Sequence, residues 1–269
     1  MKLKTMELIK ELRERSGAGM MDCKKALEEA NNDLEAAMEI LRKKGIAKAA
    51  KRGDREATEG VVELGVNDAG DEGCMVELDS ETDFVARNDK FRDLAKSILS
   101  VIEAEKPADL DSLLSLPLEG STVKEVVEGL SGTIGEKISI KRFSIVSAPT
   151  VGAYSHMGGK IGVLVALDQP GKSELAVDIA MQVAASNPNY IDPSQVPTDE
   201  INKEKEIERE ILTKEGKPAN VIEKILEGKI NKYFENNCLV KQEYIKNDKQ
   251  KVEQVLGGAK VLKFERFSL

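Results

Sequence analysis

The stretch VELDSETDFVARNDKFRDLAKSILSVI, Val76 to Ile102, decides how this chain reads. It opens with strand-like alternation at Val76 and Leu78, passes through an acidic, hydroxyl-rich turn, and ends in helical periodicity. Phe91, Leu94, Ala95, Ile98, Leu99 and Ile102 fall at the i, i+3, i+4, i+7 spacing of one apolar helix face. Between strand and helix stands Thr82-Asp83-Phe84-Val85, a carboxylate beside an aromatic ring. Ser80, Thr82 or Asp83 is placed to cap the helix. Phe84 lies seven residues before Phe91, in phase with the buried face, so periodicity favours a core position. The alternative is a rigid aromatic anchor presented at a helix entrance. Periodicity alone leaves both open.

Outward from this stretch the chain repeats itself. GVVELGV, NDAGDEG and CMVELD read as a hairpin, and the helix from Phe91 follows it. After a Leu-rich helical stretch, Val123 to Leu130 leads through Gly132 and Gly135 to the strand KISIKRFSIV. A second hairpin then appears as VGAYS, His156-Met157-Gly158-Gly159 and KIGVLVALD, with a helix from Ser173 to Ser186. KVEQVLGGAKVLKFERFSL closes this second copy. Leu78-Asp79 matches Leu167-Asp168 at an offset of about 89, and Arg142-Phe143-Ser144 matches Arg266-Phe267-Ser268 at about 124. The second copy therefore carries roughly 35 extra residues. The expected class is α+β, with two related subdomains that each hold an antiparallel sheet with helices on one face.

The extra residues are visible as two charged helices, Thr198 to Glu215 and Pro218 to Asn237, joined at Gly216-Lys217-Pro218. Ile201, Ile207, Ile211 and Leu212 are expected to face Val221, Ile222, Ile225, Leu226 and Ile230 in a helical hairpin. Pro218 opens the second helix where a helix tolerates proline. At the other end of the chain, Leu8, Ile9 and Leu12 mark a first helix ended by Ser16-Gly17-Ala18-Gly19, and Met21 to Ala30 a second. Asn31-Asn32-Asp33 breaks the second and caps a third, with Leu34, Ala37, Met38 and Leu41 on one face and Gly45 closing it. Met20 and Met21 stand at the first corner, either as plugs of the small bundle or as adaptable contacts on an interface. Lys48 to Arg55 reads as a basic, solvated connection. The expected boundaries are a three-helix bundle at 1–52, a linker at 53–58, and core subdomains at 59–148 and 149–269, the latter interrupted by the hairpin at 197–238.

Composition narrows the function. The 269 residues are 33% charged with a net charge of −8, which argues against a general nucleic-acid binder. Three widely spaced cysteines make no disulfide framework and fit a reducing compartment. With no signal peptide and no apolar run near the ~20 residues a membrane span needs, the expected location is cytoplasmic. One histidine, His156, cannot build a zinc site with scattered cysteines, and it has no evident nucleophile to activate. Gly171-Lys172-Ser173 imitates a phosphate loop, but Ala166 holds the leading glycine position and Pro170 lacks an amide. Gly17-Ala18-Gly19 lacks the preceding strand of a dinucleotide site. The residues point to a binding protein, not an enzyme, with no cofactor and no metal.

Four runs carry a resemblance. They are Leu12 to Leu27 (LRERSGAGMMDCKKAL), Thr82-Asp83-Phe84-Val85-Ala86, Ile161-Gly162-Val163-Leu164-Val165, and Ala180 to Pro188 (AMQVAASNP). Together, in order and over essentially the whole chain, they resemble the bacterial elongation factor Ts family. The resemblance implies a ubiquitin-associated-like N-terminal bundle, a two-part core and an inserted coiled-coil dimerisation hairpin. It implies guanine-nucleotide exchange on elongation factor Tu, in its GDP-bound and nucleotide-free forms. By the same resemblance Arg13, Met20 and Met21, with Lys10 and Lys24, would dock on the partner's nucleotide-binding domain. Asp83 and Phe84, with Thr82 and Val85, would wedge near the partner's magnesium site, and His156 would touch another partner domain. Self-association through 197–238 is a further implication; direct nucleic-acid or membrane binding is not expected. Enteric members continue into another C-terminal helix, whose contacts are not expected of a chain that stops at Leu269. Two other classes stay in view. A ubiquitin-associated-type adaptor would bind through residues 1–52 alone, and a small-molecule enzyme would need a deep polar pocket near His156.

Overall fold

The protein is described by a computed structural model covering residues 2–50 and 52–269. In chain order the elements are α1 (Lys2–Ser16), α2 (Met20–Glu29), α3 (Leu34–Ala50), β1 (Glu59–Val66), β2 (Glu72–Ser80), α4 (Asp83–Ala86), α5 (Asp89–Glu105) and α6 (Leu110–Ser115). Then come β3 (Pro117–Leu118), β4 (Ser121–Thr122), α7 (Val123–Ile134), β5 (Ile138–Ser147), β6 (Thr150–His156), β7 (Ile161–Leu167) and α8 (Ser173–Ser186). The chain finishes with α9 (Thr198–Lys214), α10 (Ala219–Asn237), β8 (Glu243–Tyr244), β9 (Asn247–Lys251), α11 (Val252–Leu256) and β10 (Val261–Ser268). No described helix is long and apolar enough to cross a membrane.

Strand alternation builds four layers. The first sheet has the order β1-β2-β5 and the second β10-β7-β6, with antiparallel pairing throughout. Val61, Cys74, Val76 and Leu78 pack with the apolar face of α5, where Phe91, Ile98 and Ile102 are fully buried. Their neighbours Val62 and Met75 point the opposite way and meet Val151, Leu164, Ala166 and Phe267 of the second sheet. Val163, Val165 and Leu167 turn back outward onto Ile179 and Val183 of α8. The layers therefore run helix, sheet, sheet, helix, and the middle strands β2 and β7 are buried on both faces. Helices on one face of each sheet were expected; the packing of the two remaining faces on each other needed the structure.

The repeat is real in register, but one of its two sequence markers misleads. Leu78 pairs with Val61 and Leu167 with Thr150, so the hairpins correspond at an offset of 89. The third strands each carry a bulge at the same place, after Glu77 in one and at the corresponding Ala166 in the other. Glu77 pairs with Arg142 and Ala166 with Lys263, so the third strands correspond at an offset of 121. Arg142-Phe143-Ser144 and Arg266-Phe267-Ser268 are thus three positions out of register, and the expected offset of 124 is corrected. A recurring tripeptide is weaker evidence than pairing, because register is set by cross-strand packing and the bulge.

The N-terminal helices bury Leu12, Cys23, Ala26, Leu27 and Ala37 against one another. Asp33 caps α3 by accepting the Ala36 amide at 2.9 Å. α3 does not close at Gly45, and no connection begins at Lys48; the helix runs on to Ala50, while Lys51 lies outside the described residues. Gly45 serves a different purpose. A Cβ placed on Gly132 of α7 would lie 2.3 Å from the Gly45 Cα, so α3 and α7 cross this closely only because position 132 is glycine, whereas a Cβ on Gly45 would come no nearer than 3.6 Å to Gly129. Arg42 adds an ion pair to Glu125 at 2.6 Å beside that crossing.

In the helical hairpin, Leu212, Ile222 and Leu226 form a small core of their own, with Ile225 packed against it and Ile230 buried. The expectation that all the isoleucines and Val221 would face inward is corrected, since Ile207, Ile211 and Val221 are exposed. Pro218 stands at the N-cap of α10, one place before the helix it opens. The Tyr190 hydroxyl donates to Glu200 at 2.6 Å and that of Tyr233 donates to the same carboxylate, fastening the base of the hairpin.

Candidate contact surface

β2 ends at Ser80, and the chain turns at once into the single-turn helix α4. Thr82 caps it, accepting the Val85 amide at 3.4 Å. Val85 and Ala86 are buried beneath the turn, whereas Phe84 is 84% exposed. The core position favoured by periodicity is therefore corrected. Asn88 accepts the Lys90 amide at 2.9 Å and starts α5 as a separate helix, so the phase from Phe84 to Phe91 is broken. The cap of α5 is this Asn88, not Ser80, Thr82 or Asp83. Asp83 holds Arg87 in an exposed ion pair at 2.9 Å.

The first turn of α5 gathers two other segments. On one side the Lys90 ammonium lies against Gly17, where an added Cβ would come within 2.4 Å of its Nζ. Gly17 belongs to the corner that leads into α2, whose first two residues, Met20 and Met21, are 52% and 61% exposed. They do not plug the bundle. Arg13 is exposed on α1, and Lys10 and Lys24 form surface pairs with Glu14 at 3.9 Å and Glu28 at 3.7 Å. On the other side Arg92 donates to the Gly158 carbonyl at 3.0 Å. That carbonyl lies in the turn between β6 and β7, where Met157 is 68% exposed at a left-handed φ of 52°. The turn is pinned again where the Val62 amide donates to the Gly159 carbonyl at 2.7 Å. His156 stacks on Tyr154 with ring centres 5.9 Å apart, its Nδ1 3.0 Å from the Tyr154 hydroxyl.

Segments far apart in sequence thus converge around Asp89 to Arg92, and they present Met20, Met21, Phe84 and Met157 to solvent, Phe84 on a capped turn and Met157 on a pinned one. An aromatic ring and polarizable thioethers on rigid supports suit a protein partner, where such anchors carry most of the binding energy. Lys90, Arg92 and Met157 were not singled out from the sequence. The only hint was a methionine set between histidine and two glycines in a hairpin connection.

Among the described residues no group of three or more His, Cys, Asp or Glu could hold a metal ion. Cys23, Cys74 and Cys238 are buried and free, and burial pushes the thiols of Cys74 and Cys238 up to about 11, away from reactivity. A cleft of about 910 Å³ lies between the bundle and α5 and α7, lined by residues such as Met38, Leu94 and Thr133, and His156 is not part of it.

A family model described as elongation factor TS matches residues 81–269. A protein of a Nitratiruptor species named elongation factor Ts is 45% identical over 278 residues, spanning 97% of this chain and 91% of that relative.

Proposed function

Because the chain belongs to the elongation factor Ts family, we propose that it is a guanine-nucleotide exchange factor for elongation factor Tu in translation elongation. It binds the GDP complex, disturbs the magnesium and phosphate site, releases GDP and lets GTP enter. The observation that carries this reading is Phe84, a large ring 84% exposed on a turn whose flanking Val85 is buried. Leaving a phenyl group in water on a rigid support is explained if a partner buries it.

In this reading Thr82, Asp83, Phe84 and Val85 form the wedge at the partner's magnesium site. Lys10, Arg13, Met20, Met21 and Lys24 hold the partner's nucleotide-binding domain, and His156 touches a second partner domain. Residues 1–52 act as a ubiquitin-associated-like docking unit, 53–58 as its linker, and 59–148 and 149–269 as the two core halves. The hairpin at 197–238 serves self-association. The factor needs no bond chemistry, because it works by coupling two equilibria. Whatever factor it weakens GDP binding by, GDP weakens its own binding by the same factor. Each ~1.4 kcal/mol removed from the release barrier speeds release about tenfold.

The test is release of a fluorescent GDP analogue from elongation factor Tu, with and without this protein. Strong acceleration is expected, and it should fall steeply in Phe84→Ala. Acceleration untouched by that substitution would remove Phe84 from the mechanism, and no acceleration at all would overturn the proposed function.

A further inference from the structure

Two turns distant in sequence exchange carboxylates beneath the Phe84 turn. Glu81, just after β2, accepts the Lys137 amide at 2.6 Å. Glu136, beside that lysine, accepts the Thr82 amide at 3.0 Å and the Thr82 hydroxyl at 2.8 Å. Each turn uses its side chain to satisfy the other's peptide N–H. The Thr82 hydroxyl has one hydrogen, and Glu136 takes it. Its lone pairs are thereby turned toward the Val85 amide, which donates to it at 3.4 Å. Glu136 therefore orients the oxygen that caps α4.

The clamp is anchored on its far side. The Ser131 hydroxyl donates to the Glu136 carbonyl at 2.6 Å, and the Lys137 ammonium donates to the carbonyls of Gly53 and Arg55 at 2.9 and 2.8 Å. Arg55 in turn donates to Glu81 at 3.1 Å. The connection from the N-terminal helices is tied into the same node. α4 needs such support, because it spans only Asp83–Ala86 and an isolated helical turn is unfavourable. Phe84 itself, largely in solvent, contributes little to holding it.

We propose that Glu136 is the positioning residue for Phe84. It fixes the Thr82 cap so that the ring meets a partner already oriented. This rests on the reading of Phe84 as the working contact in exchange. A loose turn would have to be ordered at the moment of binding, and that ordering cost would be subtracted from the effect of the anchor.

The test uses the full chain carrying Glu136→Ala or Glu136→Gln, each in the natural background and with Phe84→Ala. Deuterium uptake over residues 81–87 of the free protein, the melting temperature, and the maximal rate and half-saturating concentration for GDP-analogue release are measured. Glu136→Ala is expected to raise uptake and lower the maximal release rate by about tenfold, the scale of one lost charge-assisted hydrogen bond. Glu136→Gln keeps one accepting oxygen and should recover part of both. Combined with Phe84→Ala, Glu136→Ala should change release less than about twofold, since a residue acting only through Phe84 has nothing left to position. Multiplying effects in the double variant, unchanged uptake or unchanged release would overturn the proposal. If Phe84→Ala slows release and Glu136→Ala does not, this inference alone fails; if Phe84→Ala has no effect, the wedge reading fails first. Should Glu136→Ala unfold, Glu136→Gln alone carries the comparison: it leaves the Thr82 cap oxygen in place, a smaller rise in uptake and fall in release are expected, and no change in either would overturn the proposal.

Discussion

The guanidinium carbon of Arg142 stands 4.1 Å from the centre of the Phe267 ring. Two tripeptides that copy each other in the sequence therefore touch across the two sheets instead of occupying matching places within them. Arg142 also donates through Nε to Glu77 at 2.7 Å, and Lys141 reaches the same carboxylate at 2.7 Å. Adjacent strand residues normally point to opposite faces; the bulge that leaves Lys141 unpaired is what lets both cations serve one acceptor. Glu77 can be fully buried because its charge is met twice.

Arg142→Ala should destabilise the fold by about 2 kcal/mol, since it leaves Glu77 with Lys141 alone and bares the Phe267 face. Urea denaturation is the measurement. A change below about 0.5 kcal/mol, the size of an ordinary surface substitution, would show that the stack and the pair contribute nothing net.

Glycine-to-alanine changes on α7 should have opposite signs. At Gly129 an added methyl meets nothing within 4 Å, so alanine should stabilise by about 0.5–1 kcal/mol through helix propensity. At Gly132 it would meet the Gly45 backbone at 2.3 Å, and the forced separation of α3 from α7 should cost about 1–3 kcal/mol. Melting temperatures moving the same way in both variants would contradict the close crossing.

Asp79 is buried, and its Oδ1 has no hydrogen-bond partner among the described residues. Burial, with the nearby Glu77 charge, pushes its carboxyl from 3.8 up to about 6 against the opposing pull of Lys141, Arg142 and Lys137. The folded state thus binds this proton more tightly than the unfolded chain. The associated stability is fully present below the unfolded value and is lost as pH rises through the folded one. Asp79→Asn should therefore raise stability above pH 7 by about 1–2 kcal/mol and give no gain near pH 3. Thermal melts across that range would show it, and a gain equal at both ends would argue for a cause other than ionisation.

Phe84→Ala should slow nucleotide release sharply while leaving unfolding free energy within about 0.5 kcal/mol, as expected for a ring that contributes no core packing. A clear loss of stability, read from the same urea curves, would place the ring back among the structural residues.

Ile207 and Ile211, one turn apart on α9, and Val221 on α10 are apolar side chains left exposed on the hairpin. If self-association runs through 197–238, Ile207→Asp with Ile211→Asp should convert the oligomer seen by sedimentation equilibrium to a monomer, without lowering the melting temperature of the core. An unchanged mass would move self-association off the hairpin.

Local periodicity settled what local physics governs. The helical spacing from Phe91 to Ile102 records which side chains avoid water, and those side chains are buried as the spacing requires; the alternation at Val76 and Leu78 marks one buried face of β2, but not that Met75 and Glu77 on the other face are buried as well. The family motifs were equally legible, since they are runs of identity in order. Phe84 was misread by periodicity because exposure there depends on a helix break enforced by Asn88, an event that a seven-residue spacing cannot register. Gly45 looked like a helix stop because glycine often is one; that it is instead a crossing point depends on Gly132, far along the chain. Glu136 had no local signature at all. The sequence by itself determined the elements, the two hairpins and the family. Tertiary structure decided which faces meet, where the third strands register and how the Phe84 turn is held, because these are contacts between residues that only folding brings within reach.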